Sequence, residues 1–140
     1  MKKSVKIISD NNANCYLQIS LNDPSDPYSN YHLSFFYQDG HSQFMAENRS
    51  IHFTDRAGFL EKFKAFVNAD LKQIRLEATE GSYLLFERLS VKQEAYVRFQ
   101  ITTFLQGAKQ PIYVSGQFPI QHSLYSMLSQ SQILFSQDDL

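Results

Sequence analysis

The strongest hydrophobic periodicity in the chain lies between residues 53 and 68, where Phe59, Leu60, Phe63, Phe66 and Val67 recur at i, i+1, i+4, i+7 and i+8. On a 3.6-residue repeat these positions form one apolar stripe, with Glu61, Lys62 and Lys64 opposite, so the spacing predicts an amphipathic helix over 53–68. Thr54 stands where a hydroxyl would accept from a first-turn amide. Asp55 stands where the positive end of the helix dipole favours a carboxylate. Burying four or five such side chains stabilises by roughly 1.5–3 kcal/mol each before conformational entropy is set against it. This helix is therefore expected to organise the core.

On either side of it the period changes to two. Segments 5–9 and 15–21 read as strands around the turn-rich 10–14, and in the second Cys15, Leu17, Ile19 and Leu21 alternate with Tyr16, Gln18 and Ser20. Two prolines among Asp, Ser and Asn make 22–30 a loop. Tyr31, Leu33, Phe35 and Tyr37 alternate again, Asp39-Gly40 carries a hairpin signal, and the returning strand includes 43–46, with 50–53 leading into the helix.

After the helix, 71–78, 83–89 and 95–105 read as three further strands, and 83–89 is apolar on both faces, which predicts a central position. At Thr102-Thr103-Phe104 the alternation slips by one, the mark of a bulge or of a strand crossing from one partner to another. Residues 112–118 form a last strand. Pro119 then opens a second amphipathic segment in which Ile120, Leu124, Met127 and Leu128 share a helical face; 133–135 should dock as a tail piece and 136–140 should fray. The sum is a single α+β domain over 1–140, with antiparallel strands in two successive groups, each followed by an amphipathic helix packed on the sheet. The pattern fits one strongly bent sheet as well as two sheets.

Composition narrows the function classes. At 140 residues the chain can bury a core without metal or disulfide, and its one cysteine, Cys15, is expected to be a small buried hydrophobe. The basic start has no long apolar run behind it, so neither a signal peptide nor a membrane span is expected. A formal net charge of −1 gives no field that would attract nucleic acid. Aromatics make up 14%, as twelve Phe and eight Tyr without Trp. Several of Tyr16, Tyr28, Tyr31, Phe36, Tyr96 and Tyr113 fall on faces read as wet, which suits a protein-binding patch.

No catalytic constellation emerges. His32, His41, His52 and His122 lack metal-ligand spacing, and His32 and His52 could face each other only if their strands pair. Glu77, Glu80 and Glu87 lie on neighbouring strands and could serve acid-base chemistry if one were buried, but Arg75, Arg88, Lys92 and Arg98 make ion pairing the expected arrangement. Ser115-Gly116 lacks the glycine-framed elbow of a seryl nucleophile. The five glycines are scattered singly, so no phosphate cradle forms, and neither metal nor cofactor is expected.

The helix Phe59-Leu60-x-x-Phe63-x-x-Phe66, the stretches Arg75-Leu76-Glu77-Ala78-Thr79-Glu80 and Tyr83-Leu84-Leu85-Phe86-Glu87, the strand Val97-x-Phe99-x-Ile101 and the entry Gly116-x-Phe118-Pro119-Ile120 into the last helix resemble the WapI-type immunity proteins of bacterial polymorphic toxin systems. The resemblance runs from Tyr31 to Leu128, while the absence of Trp and the near-neutral charge depart from that family's pattern. It implies a small cytoplasmic α+β protein without catalytic residues, which binds and neutralises a cognate toxin domain, often a nuclease. No contact residue carries over from the family, and the residues themselves point to Glu77, Glu80, Tyr83, Glu87, Tyr96 and Tyr113 as the partner-binding surface. Two other readings stand beside it. One is a small-ligand-binding or hydrolase-like domain whose cleft holds His32, His52 and Glu87; the other is a structural homo-oligomer subunit that pairs a sheet edge with another copy.

Overall fold

The computed structural model describes residues 3–26, 29–54, 56, 58–88, 94–104 and 109–135. Strands β1 (Ser4–Ile8), β2 (Cys15–Leu21), β3 (Tyr31–Gln38) and β4 (Gln43–Ile51) form one antiparallel sheet in sequence order. After helix α1 (Phe59–Val67), β5 (Gln73–Glu77), β6 (Tyr83–Arg88), β7 (Ala95–Thr103) and β8 (Ile112–Pro119) form a second. A 3-10 turn, Gln121–Ser123, leads into helix α2 (Leu124–Leu134). Every pairing joins sequence neighbours, because hairpins bring alternating strands together with the least loop closure.

The period-two alternation decides which face each sheet buries. Ile7, Leu17, Ile19 and Leu33 of the first sheet and Leu76, Leu84, Phe86, Val97, Phe99 and Ile101 of the second belong to a single hydrophobic cluster. Its two halves touch where the Phe35 ring lies 4.6 Å from that of Phe99. The strands therefore make two sheets, and two corners join them. At one, Phe53 bridges Ala78, the Thr54 amide donates to the Glu77 carbonyl at 2.9 Å and the Thr79 amide to that of His52 at 3.0 Å. At the other, the Asp10 amide donates to the Pro119 carbonyl, while its carboxylate accepts from the Gln121 and His122 amides at 2.8 and 2.9 Å.

The first corner corrects the expected start of the helix. Phe53 makes an isolated bridge to Ala78, the Thr54 hydroxyl donates to the Glu77 carbonyl as well, and α1 begins only at Phe59, behind Gly58 with φ of 78°. The bonds at this bridge satisfy the His52 carbonyl and the Thr54 amide, so the Thr54 amide is not left to open a helix. Asp55 lies outside the described residues.

The stripe itself is as read: α1 buries Phe59, Phe63, Phe66 and Val67. It lies on the second sheet, with Phe63 5.3 Å from Phe86, whereas α2 runs along β1 of the first. There the Ser123 hydroxyl donates to the Ile8 carbonyl and the Lys6 amide to the Gln130 side chain, both at 2.7 Å. The expected packing of each helix on the sheet before it is thus met only in part, since each of these contacts is with the other sheet. The 53–78 bridge carries the chain across before α1 starts. The tail piece docks as the end of α2, where Leu134 and Phe135 are buried and Ile133 is exposed; residues 136–140 lie outside the described residues.

The end of α1 contains a strained residue. The Ala69 amide donates to the Phe66 carbonyl and the Asp70 amide to that of Ala65, the reciprocal pair that closes a helix around a left-handed residue. That residue is Ala69, with φ of 63°, where glycine would carry no Cβ penalty. Ala69→Gly is expected to raise stability by about 1 kcal/mol, read as a higher urea midpoint at unchanged slope.

The Asp39-Gly40 hairpin forms as expected, and Asp39 holds it closed. Its carboxylate accepts from the Tyr37 hydroxyl and from the His41 and Ser42 amides, all within 2.8 Å, and these bonds hold its pKa below the usual carboxylate range, Tyr37 first. A depressed folded pKa means that this contribution is complete at neutral pH and is lost as pH falls through the folded value. The stability difference between the wild type and Asp39→Asn should therefore shrink on acidification below about pH 4. Urea titrations across that window would show it.

No bulge interrupts β7 at Thr102. Its register with β8 runs unbroken from Tyr96 opposite Pro119 to Thr103 opposite Ile112, whereas β6 ends opposite Gln100. On the side that β6 leaves, the Thr102 amide donates to the Ser82 hydroxyl and its carbonyl accepts from the Asn48 side-chain amide, while its pairing with Tyr113 of β8 continues. Here β7 loses β6 but keeps β8, and it takes no new partner among the named strands, so the expected crossing is not seen either. A register shift occurs instead in β3–β4, between the pairs Tyr31–Ile51 and Leu33–Asn48.

Candidate functional site

Strand alternation sends every second residue of β5–β8 away from the core, and the register arranges them in rows. Gln73, Glu87, Tyr96 and Pro119 form one row, Arg75, Leu85, Arg98 and Gln117 the next, and Glu77, Tyr83, Gln100 and Ser115 the third. Tyr113 follows on β8 opposite Thr102 and is 58% exposed. Five of the six proposed contact residues, Glu77, Tyr83, Glu87, Tyr96 and Tyr113, thus share this outer face. Glu80 sits in the turn before β6, where one carboxylate oxygen accepts from the Ser82 amide and the other is buried without a partner.

The charges on this face are tied to one another. Arg98 donates to Glu87 at 2.8 Å across the strands, and Arg75 pairs with Glu77 while its guanidinium stands 4.4 Å from the Tyr83 ring. Leu85 lies between the two arginines of its row and is only 6% exposed, as expected where aliphatic arginine stems cover an outward leucine. The expected ion pairing of the carboxylates is what the face contains, although Arg88 takes no part in it and Lys92 lies outside the described residues. Arg88 instead donates to the Phe66 carbonyl near the C-terminal end of α1 and to the Gln121 side chain, each at 3.2 Å.

His32, His52 and Glu87 do not converge on a cleft. His32 is on the outer face of the first sheet, His52 is exposed in the corner bridge, and Glu87 is on the outer face of the second sheet. Among the described residues no group of three or more His, Cys, Asp or Glu could hold a metal ion. His32 has a partner that the sequence reading missed: its Nε2 lies 2.9 Å from Glu47, whose other oxygen lies 3.5 Å from Arg49 Nε. Counting back from the Asp39-Gly40 turn would have found it, because Gln38 opposite Gln43 puts Ser34 opposite Glu47, diagonal to His32.

The first sheet has rows of its own. Ile8, Tyr16, Phe36 and Met45 make one, and Lys6, Gln18, Ser34 and Glu47 the next. Tyr16 stacks on Phe36 at 5.3 Å, and Lys6 Nζ stands 4.0 Å from the Tyr16 ring. Beside the aromatic row is a shallow hollow of about 240 Å³, lined also by Ser20 and His32. Of the aromatics read as wet, Tyr16 and Phe36 do point outward, but Tyr31 is 3% exposed and belongs to the core, where its hydroxyl accepts from Arg56. Tyr28 lies outside the described residues.

Cys15 is buried in the core cluster, and burial raises its thiol pKa, which disfavours the nucleophilic thiolate. Among the described residues no helix is long and apolar enough to cross a membrane. No protein-family model, curated protein or solved structure matches the chain.

Proposed function

We propose that the protein is a non-enzymatic, cytoplasmic immunity-type inhibitor that binds a cognate bacterial toxin domain and covers its active site with the outer face of the second sheet. The observation that supports this reading is the gathering of Glu77, Tyr83, Glu87, Tyr96 and Tyr113 on that one face. Tyrosine buries a large amphipathic surface and loses only two side-chain torsions, which makes it an efficient contact residue. Here Arg75 and Arg98 are already held by Glu77 and Glu87, so a partner meets charges in set positions and little ordering is left to binding. A face carrying both signs favours a partner with the complementary pattern over a merely basic or acidic one. Inhibition then requires only that the sheet stay rigid while it blocks access.

Co-expression with the toxin encoded beside it tests the reading directly. The chain should protect the cell and co-purify with the toxin domain. Tyr83→Ala and Tyr96→Ala should each weaken the complex by about thirtyfold or more. Tyr125→Ala, on the exposed side of α2 at 74% exposure, should leave it unchanged. Absence of both protection and a complex removes the proposal, and insensitivity to the two tyrosines removes this face from it.

A further inference from the structure

We infer that the outer face of the first sheet is a self-association surface whose occupant is a second copy of this chain, turned about a two-fold axis that runs parallel to the strands between β2 and β3. The argument comes from the order of residues across the sheet. In the row Lys6, Gln18, Ser34, Glu47, a cation stands on β1, an anion on β4 and neutral polar groups between them. A half-turn about the stated axis keeps each row at its own height and reverses the strand order, so β1 faces β4 of the second copy. Lys6 then meets Glu47 twice, once from each side, as an isologous interface requires.

The neighbouring row obeys the same operation. Tyr16 faces Phe36 of the second copy and Ile8 faces Met45, so an apolar row covers an apolar row. Met45 is 58% exposed, an unbranched side chain able to fit an opposing surface. A half-turn about an axis across the strands at the height of this row would instead set Lys6 on Lys6 and Glu47 on Glu47, which like-charge repulsion disfavours. Glu47 keeps acceptor capacity for a lysine beyond its contacts with His32 and Arg49, since an ionised carboxylate offers about four lone-pair sites.

The backbone closes one competing mode, strand addition at β1. Along β1 the Lys6 amide is taken by Gln130 and the Ile8 carbonyl by Ser123, so α2 occupies this edge against strand addition. Four strands about 4.8 Å apart make a narrow patch, at the small end of specific interfaces, and the dimer should be weak and concentration-dependent.

The test exploits the charge order. Lys6→Glu and Glu47→Lys are each expected to weaken self-association at least about tenfold in sedimentation equilibrium, because each sets two like charges face to face twice. Mixed in equal amounts, the two variants should associate with each other. The new carboxylate at position 6 of one then meets the new ammonium at position 47 of the other, while the native Glu47 of the first meets the native Lys6 of the second. The double variant should self-associate as the wild type does. Circular dichroism of each variant ensures that loss of association is not loss of fold. A wild type that stays monomeric to about 1 mM overturns the inference, and so does a mixture of the single variants that remains monomeric. No toxin enters the measurement, so its outcome is independent of the proposed function.

Discussion

Phe86→Ala is expected to lower stability by about 3–5 kcal/mol, a large part of the margin of an ordinary domain. Phe86 is 1% exposed, and its ring lies 5.3 Å from Phe63, 6.2 Å from Phe59 and 6.3 Å from Phe66. It is the surface on which the apolar stripe of α1 sits. Truncation would open a cavity between helix and sheet that the backbone cannot close, because β6 is held by β5 on one side and β7 on the other. Urea denaturation should show a much lower midpoint at nearly constant slope. Tyr125→Ala, which removes a 74% exposed ring from α2, should change stability by no more than about 0.5 kcal/mol. Equal effects of the two substitutions would mean that α1 is not seated on β6.

Gly116→Ala should destabilise by about 1–3 kcal/mol through overpacking, although it adds only one methyl group. Gly116 stands opposite Phe99 in the β7–β8 ladder, and a Cβ there would come within 2.9 Å of two atoms of the Phe99 ring. The ring cannot swing away freely. Phe99 is 1% exposed and packs 4.6 Å from Phe35, at the contact between the two sheets. The clash predicts its own remedy: Phe99→Leu removes ring atoms at the point of conflict, so the double variant should be more stable than the two separate losses would add up to. Additivity in that double-mutant cycle would show that the methyl group does not meet the ring.

The candidate site was legible in one respect and hidden in another. Once β5–β8 are recognised as strands, alternation alone puts Tyr83 with Glu87 and Tyr96 with Arg98 on single faces, because residues two apart share a side. Which residues then become neighbours depends on register, and Arg98 meets Glu87 only because Glu87 pairs with Tyr96. His32–Glu47, fifteen residues apart, also depends on register, which here can be counted back from the Asp39-Gly40 turn. Tertiary contact explains Tyr31, whose place in the alternation with Leu33 suited the core while its hydroxyl suited the surface; Arg56, brought in from beyond β4, satisfies the hydroxyl.

By itself the sequence determined the number and kind of elements, the stripe of α1, the Asp39-Gly40 turn, the central position of β6 and the inward set of each strand. Those properties follow from local dihedral preference and from periods of 3.6 and 2, and neighbouring residues suffice to express them. Tertiary structure alone decided that the strands divide into two sheets, that α1 starts at Phe59 instead of near Thr54, and that each helix meets the sheet it does not follow. Those outcomes turn on the backbone groups of His52, Thr54 and Asp10, whose partners Thr79, Glu77 and Pro119 lie 23 or more residues away along the chain. A hydrogen bond formed across such a distance leaves no periodic trace, because a backbone group pairs with whichever partner the fold brings within reach.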